Sequence, residues 1–580
     1  MRCLLLHPED DPLNPAWPRA QWDRIIDLGI AGYATYQLWE RDLGCKIEPY
    51  PSLDREDFKT LRSMFDFGLG CIVDEHGLDW WDLTSLRWLD QFVLALQVRK
   101  LLAGMGESDE IFVSSRCDTR MLELLAPDRV HRLDGRANGQ ISRRVASLAR
   151  FSFRQVLEIA GDKYDGQYRL RRLFAPERAS CSNPVILLPS AYGNASRTAL
   201  AYASALPDLE FLLIATRQSG WTKSVPPNVT RSHLASYTDS CSREVEIHCL
   251  LSAWKRLRVG LKEQPELSRL CDVGCFELMP TYLREGLAIR DSWTNVFKGE
   301  AVTAVLAADE KNPYTRIPVL LARQLGLPAL ACHHGALDGR YLFTPICADR
   351  FLAKGPMEWD YMVRACGVPA EKVSVASAQR RRENCRRVAE GKKRIVFFSE
   401  PYEASNCRAR EVYAEVLPPL AQIAYANDCE LVIKLHPFES VSERRRLVND
   451  VVLPPTRHIV RLFAAPLSDD LMQATWFIVT VSSTAAVECA MDGIPAILCA
   501  WLDRYGFGYA EQFAKFGVAV SLDRAERLLE IPSLLQAFQR ANPADICQAT
   551  PPESLRELVL PQREFERMLN RITQAERLWA

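Results

Sequence analysis

The sequence predicts an α/β fold, in which parallel sheets are flanked by helices. Short apolar runs recur along the chain, and each is followed by a turn of Gly, Ser or Asn and then by a helical pattern. With 580 residues, 48% of them hydrophobic, the chain is long enough for two to four domains with apolar cores. No apolar run reaches the roughly 18 residues that a membrane-spanning helix needs.

Charge and cysteine content narrow the class of protein. Lys and Arg number 72 and Asp and Glu number 73, so the formal net charge is −1 and nothing global indicates a nucleic-acid partner. The 18 cysteines are scattered and include no C-x-x-C pair, which fits a reducing compartment. In the first segment, MRCLLLHPEDD, only three leucines precede the charges, which is not the pattern of a signal peptide. We therefore expect a cytoplasmic protein.

One group of cysteine and histidine residues resembles a metal site in composition only. Its spacing matches no familiar zinc pattern, and we therefore expect no metal there. The group consists of Cys241, His248, Cys249, Cys271 and Cys275.

Residues 1–180 are predicted to be an N-terminal α/β region. Strands are predicted in WDRIIDLG (22–29), LGCIVDEHG (69–77) and DEIFVSSR (109–116), with helical patterns between them. The sequence leaves open whether this region is a separate domain or an elaboration of the next sheet.

Residues 181–378 are predicted to form the first of two Rossmann-like domains. A strand, a turn of small residues and a helix are predicted over 184–207, and a further strand over 210–216. Residues 301–335 read as strand, loop, helix and strand, and another strand is predicted over 349–355.

The polar and strongly basic segment 379–394 is predicted to be a solvated linker helix; contact with anionic lipid or polymer is the alternative. The alternation then resumes, so 395–525 is predicted to be the second Rossmann-like domain, with a strand over 429–437 and strand, turn, helix and strand over 475–500. Amphipathic helices are predicted over 526–580.

The strand CELVIKLHP ends on polar residues that point to a binding site. Side chains alternate along a strand, so Lys434 and His436 project to the same side, and Pro437 ends the ladder because it has no N–H. Ligands of open parallel sheets bind beyond the carboxyl ends of strands. Capping of a neighbouring carbonyl is the alternative for such a histidine, and we prefer it for the similar His7-Pro8 near the N-terminus.

A second polar turn, VSSTAAVECA, follows another predicted strand. Ser482, Ser483 and Thr484 offer hydroxyls and backbone N–H groups at the start of a helix, which suits a phosphate. Ordinary N-capping is the alternative. Glu488 in that helix suits a ribose diol, or else is simply exposed to solvent.

The first Rossmann-like domain contributes histidines at the end of a strand. His334 is the candidate general base because an imidazole titrates near neutral pH, and a metal held by His333 and His334 is the alternative. Asp309 and Glu310 follow another predicted strand of the same sheet. They are the second candidates for the base, or polar groups that position the acceptor or orient His334.

Taken together, the segments CHHG, DRFLAKG, CGVPAEKVSV, KLHP, SST and DGIP resemble bacterial capsule and surface-polymer glycosyltransferases of the GT-B type. Within that group they are similar to sialyl- and polysialyltransferases, Kdo transferases of capsule assembly and CDP-glycerol glycerophosphotransferases. The resemblance covers roughly residues 300–500 and, loosely, 184–300. It implies two Rossmann-like domains whose parallel sheets face a central cleft.

The resemblance also implies roles for individual residues. His436, with Lys434, is expected to neutralise the phosphate leaving group, and Ser482, Ser483 and Thr484 to bind that phosphate or the cytidine ribose. His334-Gly335 matches the element of the glycerophosphotransferases in which the histidine acts as base.

We therefore expect a metal-independent glycosyltransferase that uses no cofactor. Its donor is expected to be a CMP- or CDP-linked sugar, and its acceptor a glycan or lipid-linked glycan of a bacterial surface polysaccharide. Peripheral association with the inner membrane is the alternative to a wholly cytoplasmic location. The alternatives are a UDP-sugar transferase, a nucleotide-sugar 2-epimerase or hydrolase, and a non-catalytic scaffold of a polysaccharide export complex. A dehydrogenase is not expected, because no G-x-G-x-x-G follows a predicted strand.

Overall fold

The computed structural model describes residues 1–133, 181–378 and 393–560. Within these ranges it leaves out residues 9, 11–12, 14–16, 18–21, 30–32, 115, 118, 182, 223, 239–242, 336, 338, 403–407, 438, 466, 504–508 and 539–540. The described residues group into two compact units. The first combines parts of 1–58, 93–151 and 382–543, and the second combines parts of 59–92, 152–381 and 544–580.

The first unit contains an N-terminal sheet of five parallel strands in the order β3-β2-β1-β4-β5. The predicted strands around residues 25 and 112 are confirmed, and three further short strands were not predicted. The strands are β1 (Arg2–Leu6), β2 (Arg24–Asp27), β3 (Ile47–Pro49), β4 (Glu110–Val113) and β5 (Val130–Arg132).

The second unit contains a middle sheet of seven parallel strands in the order β12-β11-β10-β9-β6-β7-β8. Every residue of its central strands β6 and β9 is buried, as expected when helices cover both faces of a parallel sheet. The strands are β6 (Val185–Ser190), β7 (Phe211–Ala215), β8 (Val229–His233), β9 (Val302–Ala307), β10 (Ala329–Ala331), β11 (Arg350–Ala353) and β12 (Val373–Val375).

The first unit also contains a C-terminal sheet of six parallel strands in the order β15-β14-β13-β16-β17-β18. Counted from its own first strand this is the order 3-2-1-4-5-6 of a Rossmann fold, and the middle sheet follows the same order with a seventh strand added. The strands are β13 (Arg394–Phe398), β14 (Glu430–Lys434), β15 (Val460–Phe463), β16 (Thr475–Thr480), β17 (Ala496–Cys499) and β18 (Ala519–Leu522).

The predicted α/β class with two Rossmann-like sheets, an N-terminal α/β elaboration and C-terminal helices is therefore confirmed. The helices of the N-terminal part are α1 (Tyr33–Leu43), α2 (Arg55–Asp66), α3 (Trp80–Thr84), α4 (Leu89–Ala103) and α5 (Arg120–Leu125). Those around the middle sheet are α6 (Gly193–Ala205), α7 (Glu244–Leu261), α8 (Pro265–Asp272), α9 (Met279–Gly299), α10 (Pro313–Gln324), α11 (Arg340–Phe343) and α12 (Pro356–Asp360).

The helices of the C-terminal part complete the fold. They are α13 (Ala409–Ala426), α14 (Val441–Val451), α15 (Pro454–Arg457), α16 (Asp469–Gln473), α17 (Ala485–Met491), α18 (Tyr509–Lys515), α19 (Ile531–Gln536), α20 (Pro543–Ile546) and α21 (Pro552–Val559). Helix starts follow local chemistry. The side chain of Asn312 accepts from the N–H of Tyr314 before α10, and that of Ser440 accepts from Glu443 before α14.

The strand predicted over 69–77 is wrong. In its place the chain turns, because Asp74 accepts the backbone N–H groups of His76 and Leu78 through its side chain, each at 2.9 Å, and Gly77 adopts a positive φ of 70°. An Asp side chain that accepts from nearby backbone N–H groups favours a turn over sheet pairing. Here this preference outweighs the β-propensity of Ile72 and its neighbours.

Two other predictions concern residues that lie wholly or partly outside the described part of the chain. The basic segment 379–394 lies outside them except for its last two positions, and Cys241 of the cysteine and histidine group also lies outside. Each cysteine in the described part is a free thiol. No helix among the described residues is both long and apolar enough to cross a bilayer.

Candidate functional site

The strand order locates the candidate sites. In a 3-2-1-4 sheet the connections from the first and fourth strands leave in opposite directions, and ligands bind in the crevice between their carboxyl ends. This position lies between β6 and β9 in the middle sheet, and between β13 and β16 in the C-terminal sheet.

At the middle-sheet edge a phenol joins a carboxylate and an imidazole. Tyr192, just after β6, donates a hydrogen bond to Oδ2 of Asp309, just after β9. The same phenol oxygen lies 3.2 Å from Nδ1 of His334, which follows β10. Because the single phenol proton points to Asp309, Nδ1 of His334 is the donor to Tyr192. Nε2 of the neutral ring is then left unprotonated and can accept a proton.

The electrostatics of this group favour an ionised Asp309 and a neutral His334. Burial alone would raise the pKa of Asp309, but Arg340, His333 and the hydrogen bond from Tyr192 outweigh it and hold the pKa below its ordinary value. The pKa of His334 is lowered, chiefly by burial and then by the positive field of His333, against the opposing effect of Asp309.

The turn that carries His334 is tied down by a buried ion pair. Lys354, after β11, donates to the carbonyl of Gly335 and to Oε1 of Glu358, both at 2.7 Å. The backbone N–H of Gly335 donates to Nδ1 of His333 at 3.3 Å. The ring position of His334 is therefore set by contacts on both sides of it, which limits its motion.

Glu310, the other acidic candidate for the base, makes its hydrogen bonds and its ion pair outside this group. Its side chain is fully buried, and Oε2 accepts from the backbone N–H groups of Cys347 at 2.9 Å and Ala348 at 3.0 Å. Its other oxygen lies 3.5 Å from Nζ of Lys311, which itself donates to two backbone carbonyls. Glu310 therefore holds the β10–β11 connection in place.

At the C-terminal-sheet edge the structure places Lys434 and His436 at the end of β14, as predicted. Nζ of Lys434 donates to the carbonyl of Leu435 at 2.6 Å, and the residue is 9% exposed. Burial lowers the pKa of Lys434 in spite of nearby Glu439. Burial and then the charge of Lys434 lower the pKa of His436, which is half-buried.

The carboxylate of Glu439, which sequence reasoning missed, organises this turn. It accepts the backbone N–H of His436 at 2.7 Å, the hydroxyl of Ser399 at 2.6 Å and Nε of Arg444 at 2.6 Å. Ser399 follows β13, so Glu439 connects the ends of two neighbouring strands. Its pKa is raised by burial, with Arg444 acting in the opposite direction.

The serine turn after β16 is already hydrogen-bonded to a carboxylate. Oε1 of Glu400 accepts the backbone N–H of Ser482 at 2.8 Å and the hydroxyl of Thr480 at 3.0 Å, and Oε2 accepts the Ser482 hydroxyl at 2.9 Å. Burial raises the pKa of Glu400, with Ser482 and Thr480 opposing it. The donors predicted to hold a phosphate therefore hold Glu400 in this structure.

The remaining predicted residues lie near this turn. Ser483 accepts the N–H of Ala485 at 3.3 Å, and Thr484 occupies the N-cap position of α17 without a capping bond from its side chain. Glu488 is exposed on α17, a helix of 7 residues.

Three residues of these two edges were missed: Tyr192, Glu400 and Glu439. Each lies within two residues of a strand end or of the His-Pro turn, so a search of all strand ends for polar residues would have found them. Among the described residues no group of three or more His, Cys, Asp or Glu side chains is placed to hold a metal ion.

Comparison with known proteins gives only distant likenesses. No protein-family model matches the sequence. No curated protein matches it. Solved structures with similar folds include the UDP-GlcNAc 2-epimerase of Methanocaldococcus jannaschii, which is 12% identical with a TM-score of 0.41 over 65% of this chain and 99% of that chain.

Two further similar structures are the UDP-GlcNAc 2-epimerase of Neisseria meningitidis and MurG of Acinetobacter baumannii. The first is 14% identical with a TM-score of 0.40, over 65% of this chain and 100% of that chain. The second is 16% identical with a TM-score of 0.36, over 65% of this chain and 99% of that chain. Likenesses of this size carry no argument about activity.

Proposed function

We propose that the protein is a metal-independent glycosyltransferase of the GT-B type that transfers a sugar from a nucleotide-activated donor to a glycan. One observation carries the proposal. The same topological position holds complementary chemistry in two sheets of the same strand order. A carboxylate, a phenol and an imidazole lie at the middle-sheet edge, and an ammonium, an imidazole and hydroxyls at the C-terminal-sheet edge.

The middle-sheet edge supports the acceptor half of the reaction. An acceptor hydroxyl attacks the anomeric carbon, and its proton passes to Nε2 of His334 as the new C–O bond forms. Asp309 acts through Tyr192 to keep the proton on Nδ1 and to stabilise the imidazolium that results. The lowered pKa of His334 keeps the ring neutral at physiological pH. Proton transfer to it therefore becomes favourable only late in the reaction, when formation of the new C–O bond has made the proton of the attacking hydroxyl acidic.

The C-terminal-sheet edge supports the donor half. The bond between the anomeric carbon and the donor phosphate breaks, and its electron pair stays on the phosphate oxygen. Lys434 and the imidazole N–H of His436 offset that charge. Glu400 occupies the serine turn, so Ser482 serves the phosphate only when Glu400 moves away or is protonated. In its present place Glu400 suits the hydroxyls of a ribose or a sugar.

We propose a CMP-activated acidic sugar as the donor and a surface-polysaccharide glycan as the acceptor, on the resemblance of the His-Pro and Ser-Ser segments. Thermal unfolding with CMP, CDP, UDP and GDP tests the nucleotide, because a ligand that binds only the folded state raises the unfolding temperature. A shift with UDP but not CMP would assign a UDP-linked donor. A chain that binds none of the four is not a nucleotide-sugar enzyme.

Turnover of a CMP-sugar with and without a glycan acceptor tests the reaction. We expect product only with acceptor; product without it indicates an epimerase or a hydrolase. His436→Ala should lower turnover roughly 10²- to 10³-fold, the usual effect of removing one group that stabilises developing charge. His458→Ala is the matched control, because it removes an exposed histidine that lies two residues before β15 of the same sheet.

A further inference from the structure

A buried arginine from the C-terminal part fills the carboxyl edge of the N-terminal sheet. Arg408 is 3% exposed and immediately precedes α13. The guanidinium group donates four hydrogen bonds and makes one further ion-pair contact with Asp27. Nε and Nη2 reach Oδ1 of Asp27 at 3.0 and 2.9 Å, Nη2 also reaches the carbonyl of His7 at 2.7 Å, and Nη1 reaches the carbonyls of Pro8 at 3.1 Å and Asp10 at 2.6 Å.

The acceptors belong to the ends of two neighbouring strands. His7 and Pro8 follow β1 directly, and Asp27 is the last residue of β2. The Trp39 ring lies 5.1 Å from the guanidinium carbon. At Gly29 a Cβ atom would lie 3.1 Å from Cγ and 3.2 Å from Nε of Arg408, so the absence of a side chain there leaves room for the arginine.

The acceptors around Arg408, which we call the cradle, are those of Asp27, His7, Pro8 and Asp10. The cradle selects a planar cation. Three carbonyl oxygens and one carboxylate face the guanidinium, so the edge repels a phosphate, which is the usual ligand at this place in a Rossmann-like sheet. A lysine has three donors on one atom and cannot reach acceptors spread around a plane. His7 and Pro8 therefore present their backbone carbonyls to an arginine.

The same arginine ends the connection that begins at the candidate donor edge. Glu400 lies eight residues earlier, just after β13, and is held by Ser482 and Thr480. One end of the β13–α13 connection is thus bound to the C-terminal sheet and the other to the N-terminal sheet. In Rossmann-like domains the connection after the first strand lies beside the bound nucleotide.

We propose that the N-terminal sheet is a guanidinium-binding anchor, and that Arg408 is a positioning residue which holds the start of α13 in place for nucleotide binding at the C-terminal-sheet edge. The second half of this statement rests on the proposed function, whereas the first half stands on the contacts of Arg408 alone. The N-terminal sheet is accordingly not a further nucleotide site.

Chemical rescue tests the anchor. Arg408→Ala removes the atoms of ethylguanidinium, so this ion at millimolar concentration should refill the cradle and raise the lowered unfolding temperature of the variant by mass action. The wild type should not respond, and ethylammonium should rescue neither. Arg410→Ala, which removes an exposed arginine of the same helix end, is the matched control and should unfold as the wild type does.

Nucleotide affinity tests the positioning role. We expect Arg408→Ala to raise the Kd of CMP, or of whichever nucleotide the wild type binds, by roughly 5- to 150-fold, as is typical for coupled sites. Ethylguanidinium should restore most of that affinity, and Arg408→Lys should be weakened too. A folded Arg408→Ala protein with unchanged nucleotide affinity overturns the positioning role and leaves the proposed function intact.

The remaining outcomes are also decisive. If Arg408→Ala does not fold alone, its refolding yield with ethylguanidinium against ethylammonium is the measurement, and equal yields overturn the anchor. Absence of any thermal rescue in a folded variant overturns it as well. If the wild type binds no nucleotide, the proposed function and the positioning role both fall, while the rescue still decides whether the cradle is a guanidinium site.

Discussion

Replacing Tyr192 with Phe isolates the hydroxyl that joins Asp309 to His334. The variant removes a hydrogen bond to a buried, ionised carboxylate, which contributes about 1.5–3 kcal/mol to stability. Tyr202→Phe is a matched control in the same unit, because its hydroxyl donates at 3.2 Å to the neutral backbone carbonyl of Ala376. That bond contributes only about 0.5–1.5 kcal/mol. We therefore expect Tyr192→Phe to cost more stability than the control.

The two variants should also differ in function. Without the phenol, Asp309 no longer reaches His334 through it, so turnover should fall by about 10- to 100-fold, part of the usual contribution of general base catalysis. The pKa of Asp309 should rise, because the lost hydrogen bond held it down. Urea unfolding followed by tryptophan fluorescence and steady-state turnover are the assays. Equal stability and equal turnover of the two variants would refute the reasoning.

Three further predictions concern charge and burial. Glu439→Ala should destabilise the C-terminal sheet by about 3–5 kcal/mol, because it removes the carboxylate that pairs with the buried guanidinium of Arg444, whereas the exposed Arg445→Ala should not; urea unfolding measures both. The pKa of His334 is lowered on folding, so its contribution to stability is present above about pH 6.5 and is lost as the pH falls, because the unfolded chain then binds the proton. The unfolding temperature of His334→Gln should drop less than that of the wild type between neutral pH and about pH 5.5. Glu310→Gln should lower the unfolding temperature with near-normal turnover of the folded fraction, whereas Asp309→Asn should lower turnover about 10²- to 10⁴-fold; the opposite pattern would restore Glu310 as the base.

Most strands of the two Rossmann-like sheets could be predicted because their signal is local. The run 431–433 in β14 is apolar throughout, and Pro437 marks the end of the strand within a few residues. The strands β3 and β5 have only three residues each, too few for such a signal, and β1 was missed although its five residues include the apolar run 3–6. They are strands because a neighbouring strand pairs with them, which no local window contains.

Part of the candidate site could be predicted for the same reason. Polar residues at strand ends, such as His334, His436 and Ser482, are visible in sequence, and parallel strands bring such ends to one edge. Their partners are not visible. Tyr192 meets Asp309 across 117 positions of sequence and Glu400 meets Ser482 across 82, and nothing in either segment alone specifies the pairing.

The sequence by itself determined the fold class and the strand ends at which chemistry occurs, because alternation of side chains and loss of backbone donors act over a few neighbouring residues. Only the tertiary structure decided which polar groups meet. It turned Glu310 inward, gave the serine turn a carboxylate partner and seated Arg408 in the N-terminal sheet. The physical reason is that a buried charge must find its partners wherever the packed chain brings them.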